Sequence, residues 1–482
     1  MEKLVWDLKS AFAGLPDGTW FNQVPTGTWD CMIAEFLLSE GRFVHSQESV
    51  LSSYKVKNLT ELAKKQKERF LELPELYKLF SEIEMPLVKV LHKMETTGIL
   101  LDTKRLQKTG EEIDKAIITA EEKLRKEFYA DINLNSSVQV GNYLAEKVGV
   151  PLSKTKTGRY ATNENELTQY AETFPIIKDL LTYRELSKLR STYVDSLINK
   201  VDEKGRVHTN YNQVAVSTGR LSSANPNLQN IPVVSNFGQK IKSCFIAEKG
   251  KVFVSFDYSQ QELRILAHLT GEEKLIEAFK KNQDVHKTTA SKLFNVSYSD
   301  VTKEQRVIAK TINFGIIYGM SSFGMSAGLH IPVDQAKKFI DAFYESYPKI
   351  KLYYDKYINQ GKIDGYVETL LGRRRYVFEF PNQKFIDNNM RRVLLNYPIQ
   401  GTAADLMKKA MVEIYEKILT KDPEISLLLQ IHDDLVFEIP DNKKVTELIK
   451  KVRAIMCEVY PLSVPIEVDV KTGKNWGEMK EI

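Results

Sequence analysis

The chain has 482 residues, 43% of them hydrophobic and 27% charged, which is the balance of a folded multidomain protein and excludes a disordered or collagen-like one. Its 68 basic and 63 acidic residues leave a net charge of +5, a bias that permits a polyanionic partner without requiring one. Only Cys31, Cys244 and Cys457 carry thiols, which excludes a disulfide framework, and apolar runs such as 425–429 fall far short of the roughly 18 residues a membrane span needs.

No basic, apolar, small-residue leader opens the chain, so a cytoplasmic protein is expected. Residues 1–80 read as a small mixed segment with helices over Trp29 to Leu38 and Leu59 to Leu71. From there to about Leu197 the pattern is helical. Ile83, Leu87, Val90, Leu91 and Met94 recur at helical spacing and predict one buried face. Gly98 is expected to end that helix. Asp102 is expected to cap the next, whose apolar side is Leu106, Ile113, Ile117, Ala120 and Leu124. The polar stretch Ser153 to Tyr160 separates these from a helix at Pro175 to Leu197, whose Lys178, Arg184, Lys188 and Arg190 fit either a solvated face or a polyanion contact.

The middle changes character. Lys251 to Phe256 alternates like a strand, Gln261 to Leu269 reads as a helix, and Thr302 to Met320 as a longer one. Leu427 to Ile431 and Leu435 to Ile439 predict a hairpin with His432, Asp433 and Asp434 at its turn. A sheet domain interrupted by a helical one is the α+β arrangement this order implies.

Asp257 closes its strand and opens the polar turn Tyr258-Ser259-Gln260, where a carboxylate can project from a sheet into a cleft. If the two strands are neighbours, Asp257 and Asp433 converge and repel unless a divalent cation lies between them. Hard oxygens without a His or Cys cluster suit Mg²⁺, and two such ions stabilise both oxygens of a phosphoryl transfer. A helix N-cap at Asp257 and a plain polar turn at the hairpin fit the same spacing. Arg306, Lys310, Phe314 and Tyr318 recur every four residues and form a slowly winding stripe. Two cations and two aromatics could grip a nucleotide by phosphate and base; surface cations with core aromatics is the alternative. Gly315 and Gly319 would allow close approach of another chain or a base.

These residues resemble those of family A DNA polymerases, the DNA polymerase I type. Asp257-Tyr258-Ser259-Gln260-Gln261-Glu262-Leu263-Arg264 resembles motif A, Arg306 to Gly319 motif B, and Gln430-Ile431-His432-Asp433-Asp434 motif C. Further agreement lies at Thr218 to Ser223, Asn227 to Pro232, Asp284 to His286, Gln400 to Asp405, Ile83 to Leu87 and Thr155 to Gly158. The resemblance runs in family order from about residue 80 to the end. It implies a right-hand architecture with an antiparallel palm sheet, helical fingers and thumb, and a small N-terminal remnant of a 3′–5′ exonuclease domain. Its divisions would be 1–80 for the remnant, 81–205 for the thumb, 206–282 and 383–482 for the palm, and 283–382 for the fingers.

The resemblance also implies roles. Asp257 and Asp433, with the Tyr258 backbone carbonyl, would hold two Mg²⁺, with Mn²⁺ as a substitute; Asp434 is an optional further ligand. Lys310 would donate a proton to the leaving pyrophosphate, and with Arg306 and His286 would bind the incoming triphosphate. Gln260 would join the nucleotide site, Glu262 would close it to a ribose 2′-hydroxyl, Phe314 would face the sugar, and Tyr318 would sit where the template base enters. Arg220, Asn227, Gln229, Arg392, Asn396, Gln400 and His432 would contact DNA, several through the minor groove, where acceptors vary little among correct pairs. Lys156 and Arg159 would ride on backbone phosphates. The implied partners are primer–template DNA and deoxynucleoside triphosphates, handled by a monomer with no membrane attachment, in a bacterial or phage-infected cell or an organelle.

The chain departs from the family in three ways. Asp434 stands where motif C usually has Glu, and Gln261 where an aliphatic residue is common. The N-terminal segment lacks the exonuclease's opening acidic pair, with Ala11 at its middle Asp position, so no proofreading is expected. A single-subunit RNA polymerase shares the acidic pair and the motif B Lys and Tyr, but Glu262 and the thumb phrases argue against it. An inactive primer–template clamp would require a lost metal site, and both expected ligands are present.

Overall fold

Lys251–Tyr258 (β1) is the central strand of the protein, seen in a computed structural model that describes residues 3–11, 27–39, 46–128, 132–232, 235–329, 331–377 and 388–482. Around it lie Ser426–Ile431 (β2), Asp434–Pro440 (β3), Val468–Gly473 (β4) and Lys480–Glu481 (β5), in the spatial order β2-β3-β1-β4-β5 with every pair antiparallel. The period of two gives β1 two buried faces. Val252, Val254, Phe256 and Tyr258 enter the largest core with Leu435, Phe437, Val468 and Val470. Phe253 enters a second core with Val436 and Trp476. Asp257 lies on that second face, beyond the end of its apolar cover.

Helices cover both faces. Met85–Thr97 (α1) sets Leu87, Val90, Leu91 and Met94 into the core of the sheet, and Gly98, with φ of 63°, ends it as expected. Thr103–Glu127 (α2) is capped by Asp102, whose side chain accepts from the Arg105 amide. Its apolar stripe serves two cores: Leu106 and Ile113 pack behind the sheet, while Ala120 and Leu124 join Leu180 and Tyr183 in a separate helical cluster. One long helix therefore carries that outer cluster on the base of the sheet.

Gln261–Thr270 (α3) leaves β1 directly. Then come Val285–Leu293 (α4) and Lys303–Ile317 (α5), the latter started by a Thr302–Gln305 capping box. Tyr318 and Gly319 lie just past α5, so the sequence-predicted helix to Met320 is three residues too long. The two glycines are approached by the chain itself. A Cβ on Gly315 would meet the Met320 sulfur at 3.2 Å, and one on Gly319 (φ 62°) would meet Arg392 Cγ at 3.2 Å. Asn388–Ile414 (α6) returns the chain to the sheet core through Leu394, Tyr397, Leu406 and Met411. The expected boundary at 382–383 lies outside the described residues.

The N-terminal segment has its own small core of Trp29, Phe36, Phe70 and Phe80, closed by Val88 and Val214 from the larger body. Lys9 ties it down by an ion pair to Glu95 at 2.7 Å. Ala11 ends a four-residue helix, and of the acidic residues before position 80, Glu2, Asp17 and Glu40 lie outside the described residues. Among the described residues, no helix is long and apolar enough to cross a membrane.

Candidate active site

Strand pairing sets the carboxylates. Asp434 is the register partner of Asp257 across β3 and β1, and the Tyr258 amide donates to the Asp433 carbonyl at 3.0 Å. Asp433 therefore stands at the β2–β3 turn beside the end of β1, and His432 (φ 54°) makes that turn. The N-cap of α3 is Gln260, in a left-handed conformation, which excludes the reading of Asp257 as a helix cap. Burial raises the carboxyls of Asp257 and Asp433 above the ordinary range, with the charge of Asp469 adding to it for Asp257 and that of Asp257 for Asp433. Burial and the neighbouring Asp257 push Asp434 up to about 7, and its Oδ1 is buried with no hydrogen-bond partner. Buried carboxylates with an orphaned oxygen among them offer hard oxygens, the donor type that suits a divalent cation whose remaining ligands are water and substrate. Among the described residues, no group of three or more His, Cys, Asp and Glu is arranged to hold a metal ion by itself.

Glu262 is the second residue of α3 and is 5% exposed. Its two oxygens are divided: Oε1 accepts from Arg220 at 2.5 Å and Oε2 from the Tyr318 hydroxyl at 2.8 Å. Burial still raises its carboxyl, against the pull of Arg220. Three sequence-predicted residues from three segments thus meet at one point. Phe314 and Tyr318 stack with centroids 6.3 Å apart, and Phe314 also lies 5.6 Å from His286. Arg306 pairs through Nε with Asp284 at 2.5 Å, and Lys310 is exposed one turn further along α5.

Arg392, Asn396 and Gln400 stand at i, i+4 and i+8 on α6, with Arg392 exposed and the Asn396 Oδ1 buried without a partner. Gln229 is held by Ser223 and Gln430, and lines a cavity with Arg220, His432 and Asp433. Asn227 is exposed. Lys156 and Arg159 are exposed on a turn of the outer helical cluster, apart from the carboxylates.

Sequence reasoning missed a buried quartet. Arg373 pairs with Glu84 and with Asp405 at 2.7 Å, and Lys408 reaches Glu84 at 2.7 Å. Burial acts to raise the Glu84 carboxyl, yet Lys408 and Arg373 overcome it and hold it at about 2. The guanidinium of Arg373 lies against Gly219 (φ 80°) and leaves no room for a Cβ there, and Gly219 precedes Arg220. The available signal was a lysine on the apolar face of a helix, between Ala404 and Met411.

Gln261 also gains a physical meaning. It is 2% exposed and neither its Nε2 nor its Oε1 has a partner. A buried unpaired amide costs roughly 1–3 kcal/mol. Gln261→Leu, of similar volume, is expected to raise stability by about that amount, read as a higher unfolding midpoint in denaturant.

Comparison with known proteins matches residues 103–478 to the model of DNA polymerase family A. DNA polymerase I of Chloroflexus aurantiacus is 42% identical over 416 residues, which span 85% of this chain and 44% of the relative. The thermostable DNA polymerase I of Thermus thermophilus is 44% identical over 421 residues, 86% of this chain and 50% of the relative. The chain thus spans about half the length of these curated relatives. Among solved structures, the polymerase domain of Pol1 from M. smegmatis, in complex with DNA primer-template and dNTP, superimposes with a TM-score of 0.92 at 33% identity, covering 99% of this chain and 86% of that one.

Proposed function

Because the chain belongs to DNA polymerase family A, we propose that it is a template-directed DNA polymerase that adds deoxynucleotides to a primer 3′-hydroxyl and releases pyrophosphate. The observation that carries this reading is the meeting of Asp257 and Asp433 at the ends of adjoining strands, next to Glu262 and the stripe of α5. Asp257, Asp433 and the Tyr258 carbonyl would hold two Mg²⁺, or Mn²⁺ in their place, with Asp434 one methylene short of the usual Glu and serving through water. When bound, the ions supply Lewis acidity to the primer hydroxyl and neutralise charge developing on the triphosphate.

The remaining work belongs to side chains. Arg306, Lys310 and His286 grip the triphosphate, and Lys310 gives its proton to the leaving pyrophosphate. Phe314 faces the sugar, and Glu262, pinned by Arg220 and Tyr318, occupies the space of a 2′-hydroxyl. Gln260 borders the nucleotide, and Tyr318 lies where the template base enters. Arg220, Asn227, Gln229, Arg392, Asn396, Gln400 and His432 read pair shape, and Lys156 and Arg159 follow phosphates. The same reading divides the chain into thumb 81–205, palm 206–282 and 383–482, and fingers 283–382, and has it act as a cytoplasmic monomer.

The test is extension of a primed DNA template in Mg²⁺ with deoxy- or ribonucleotides. Extension with deoxynucleotides is expected, and Glu262→Ala should raise the ribo-to-deoxy incorporation ratio by about a hundredfold, within what a lost steric and hydrogen-bonding discrimination allows. Preference of the unaltered protein for ribonucleotides would favour an RNA polymerase. Residues 1–80 are read as a support without nuclease activity, since their acidic residues lack the Asp-x-Glu pair a second two-metal site needs. A mismatched, 3′-labelled primer incubated with Mg²⁺ and no nucleotides should stay intact. Release of the terminal monophosphate by Asp257→Ala protein would reveal a second active site.

A further inference from the structure

A fully buried asparagine needs an explanation. Asn313 lies on α5 one residue before Phe314, is 1% exposed, and leaves its Oδ1 with no partner. Its Nδ2 lies 2.9 Å from Nδ1 of His286, which is 2% exposed on α4. With the amide in this orientation its nitrogen donates to Nδ1 of His286, which places the ring proton of the neutral imidazole on Nε2. An apolar residue in place of Asn313 would remove the cost of the orphaned oxygen but release the ring.

We propose that Asn313 is a positioning residue that fixes His286 in the Nε2–H tautomer, so that a hydrogen-bond donor, and no lone pair, meets the triphosphate. The inference rests on the nucleotide site proposed above. A phosphate oxygen only accepts; an imidazole with its proton on Nδ1 would turn a lone pair toward it and repel it. Arg306 is held in a parallel way, because Asp284 takes its Nε and caps α4 with the other carboxylate oxygen. Each cationic or donor group is thus fastened at one nitrogen, and another nitrogen remains for the ligand. The charged groups acting on the ring are Asp284 at the start of its own helix and Arg306 and Lys310 on α5; with burial foremost, they leave the imidazole neutral at neutral pH, its pKa lowered to about 4.

The test has one readout that does not need catalysis. The chain has seven histidines, so imidazole ¹⁵N labelling with His286→Gln for assignment reads the tautomer directly. The unaltered protein is expected to show a neutral Nε2–H ring, and Asn313→Asp, which must accept a proton from Nδ1, should move the proton there or add a second. In extension assays, Asn313→Leu should raise KM for the deoxynucleotide about tenfold, the worth of one hydrogen bond to a charged group, with kcat within about twofold and no lower unfolding midpoint. KM of Asn313→Asp should depend on pH between 6 and 9, higher at the alkaline end where the ring is neutral with its lone pair outward, while that of the unaltered protein stays flat. An Nδ1–H ring in the unaltered protein, or an unchanged KM in both variants, overturns the inference. Absence of extension together with the Nε2–H ring overturns the functional reading alone and leaves the hold of Asn313 on His286 established.

Discussion

Asp257→Ala and Asp433→Ala should each reduce primer extension by about a thousandfold or more while primer–template binding stays within a few-fold. The two effects separate because they have different sources. A thousandfold is about 4 kcal/mol of barrier, within what metal stabilisation of a transition state supplies. On the proposed reading, affinity for the duplex comes from phosphates gripped elsewhere, by Lys156, Arg159 and their neighbours, and should fall with salt in both variants as in the parent. Asp434→Ala should be milder, because Asp434 reaches the site only across the strand pair. Single-turnover extension and a binding titration check both halves. A dead Asp434→Ala beside an active Asp433→Ala would shift the metal assignment by one residue.

Arg373→Met should cost stability more than any change at the nucleotide site. The substitution leaves Glu84, Asp405 and Lys408 enclosed, two negative charges against one positive, with no water to repay the imbalance. Breaking a buried ionic network by removing one member costs roughly 3–5 kcal/mol. Adding Asp405→Asn returns the set to one charge of each sign, and part of the loss should be recovered. Denaturant unfolding of the single and double variants measures this. Equal destabilisation in both would mean that the packing of the Arg373 guanidinium against Gly219, and not charge balance, is what the site needs.

How much of this was readable in advance depended on how local the signal was. The Gly98 stop and the Asp102 cap follow from turn chemistry within a few residues and have the form expected. The α1 face holds from Leu87 to Met94, while Ile83 lies before α1 and enters the N-terminal core. The hairpin turn is shorter than expected because Asp434 already belongs to β3. Asp257 and Asp433 could be joined only conditionally, because nothing in periodicity says that β3 pairs with β1; the register, together with the resemblance to the family, supplies it. The Glu262–Arg220–Tyr318 meeting involves segments 42 and 56 residues from Glu262, and the Glu84–Arg373–Lys408 contacts span 289 and 324 residues. Pairings so distant leave no periodic trace. Asn313 was visible as a motif letter, but its purpose required seeing which ring nitrogen it touched. Gln261 stands out in the sequence as a departure from the family, and only its burial shows that its amide is unpaired.

The strand order has a consequence for how the protein is made. β1 is synthesised first yet lies between β3 and β4, which follow it by more than 170 residues of chain. A ribosome-bound chain that ends before residue 426 holds β1 with both edges bare and Asp257 without its neighbours. Until residues 426–473 emerge, such a chain cannot assemble the carboxylate site and offers two unpaired strand edges to any passing partner. Long-range antiparallel pairing of this kind is slow to close. Nascent chains stalled within that interval are expected to draw chaperones, and to gain protease resistance across the sheet in a single late step once β4 is free of the exit tunnel.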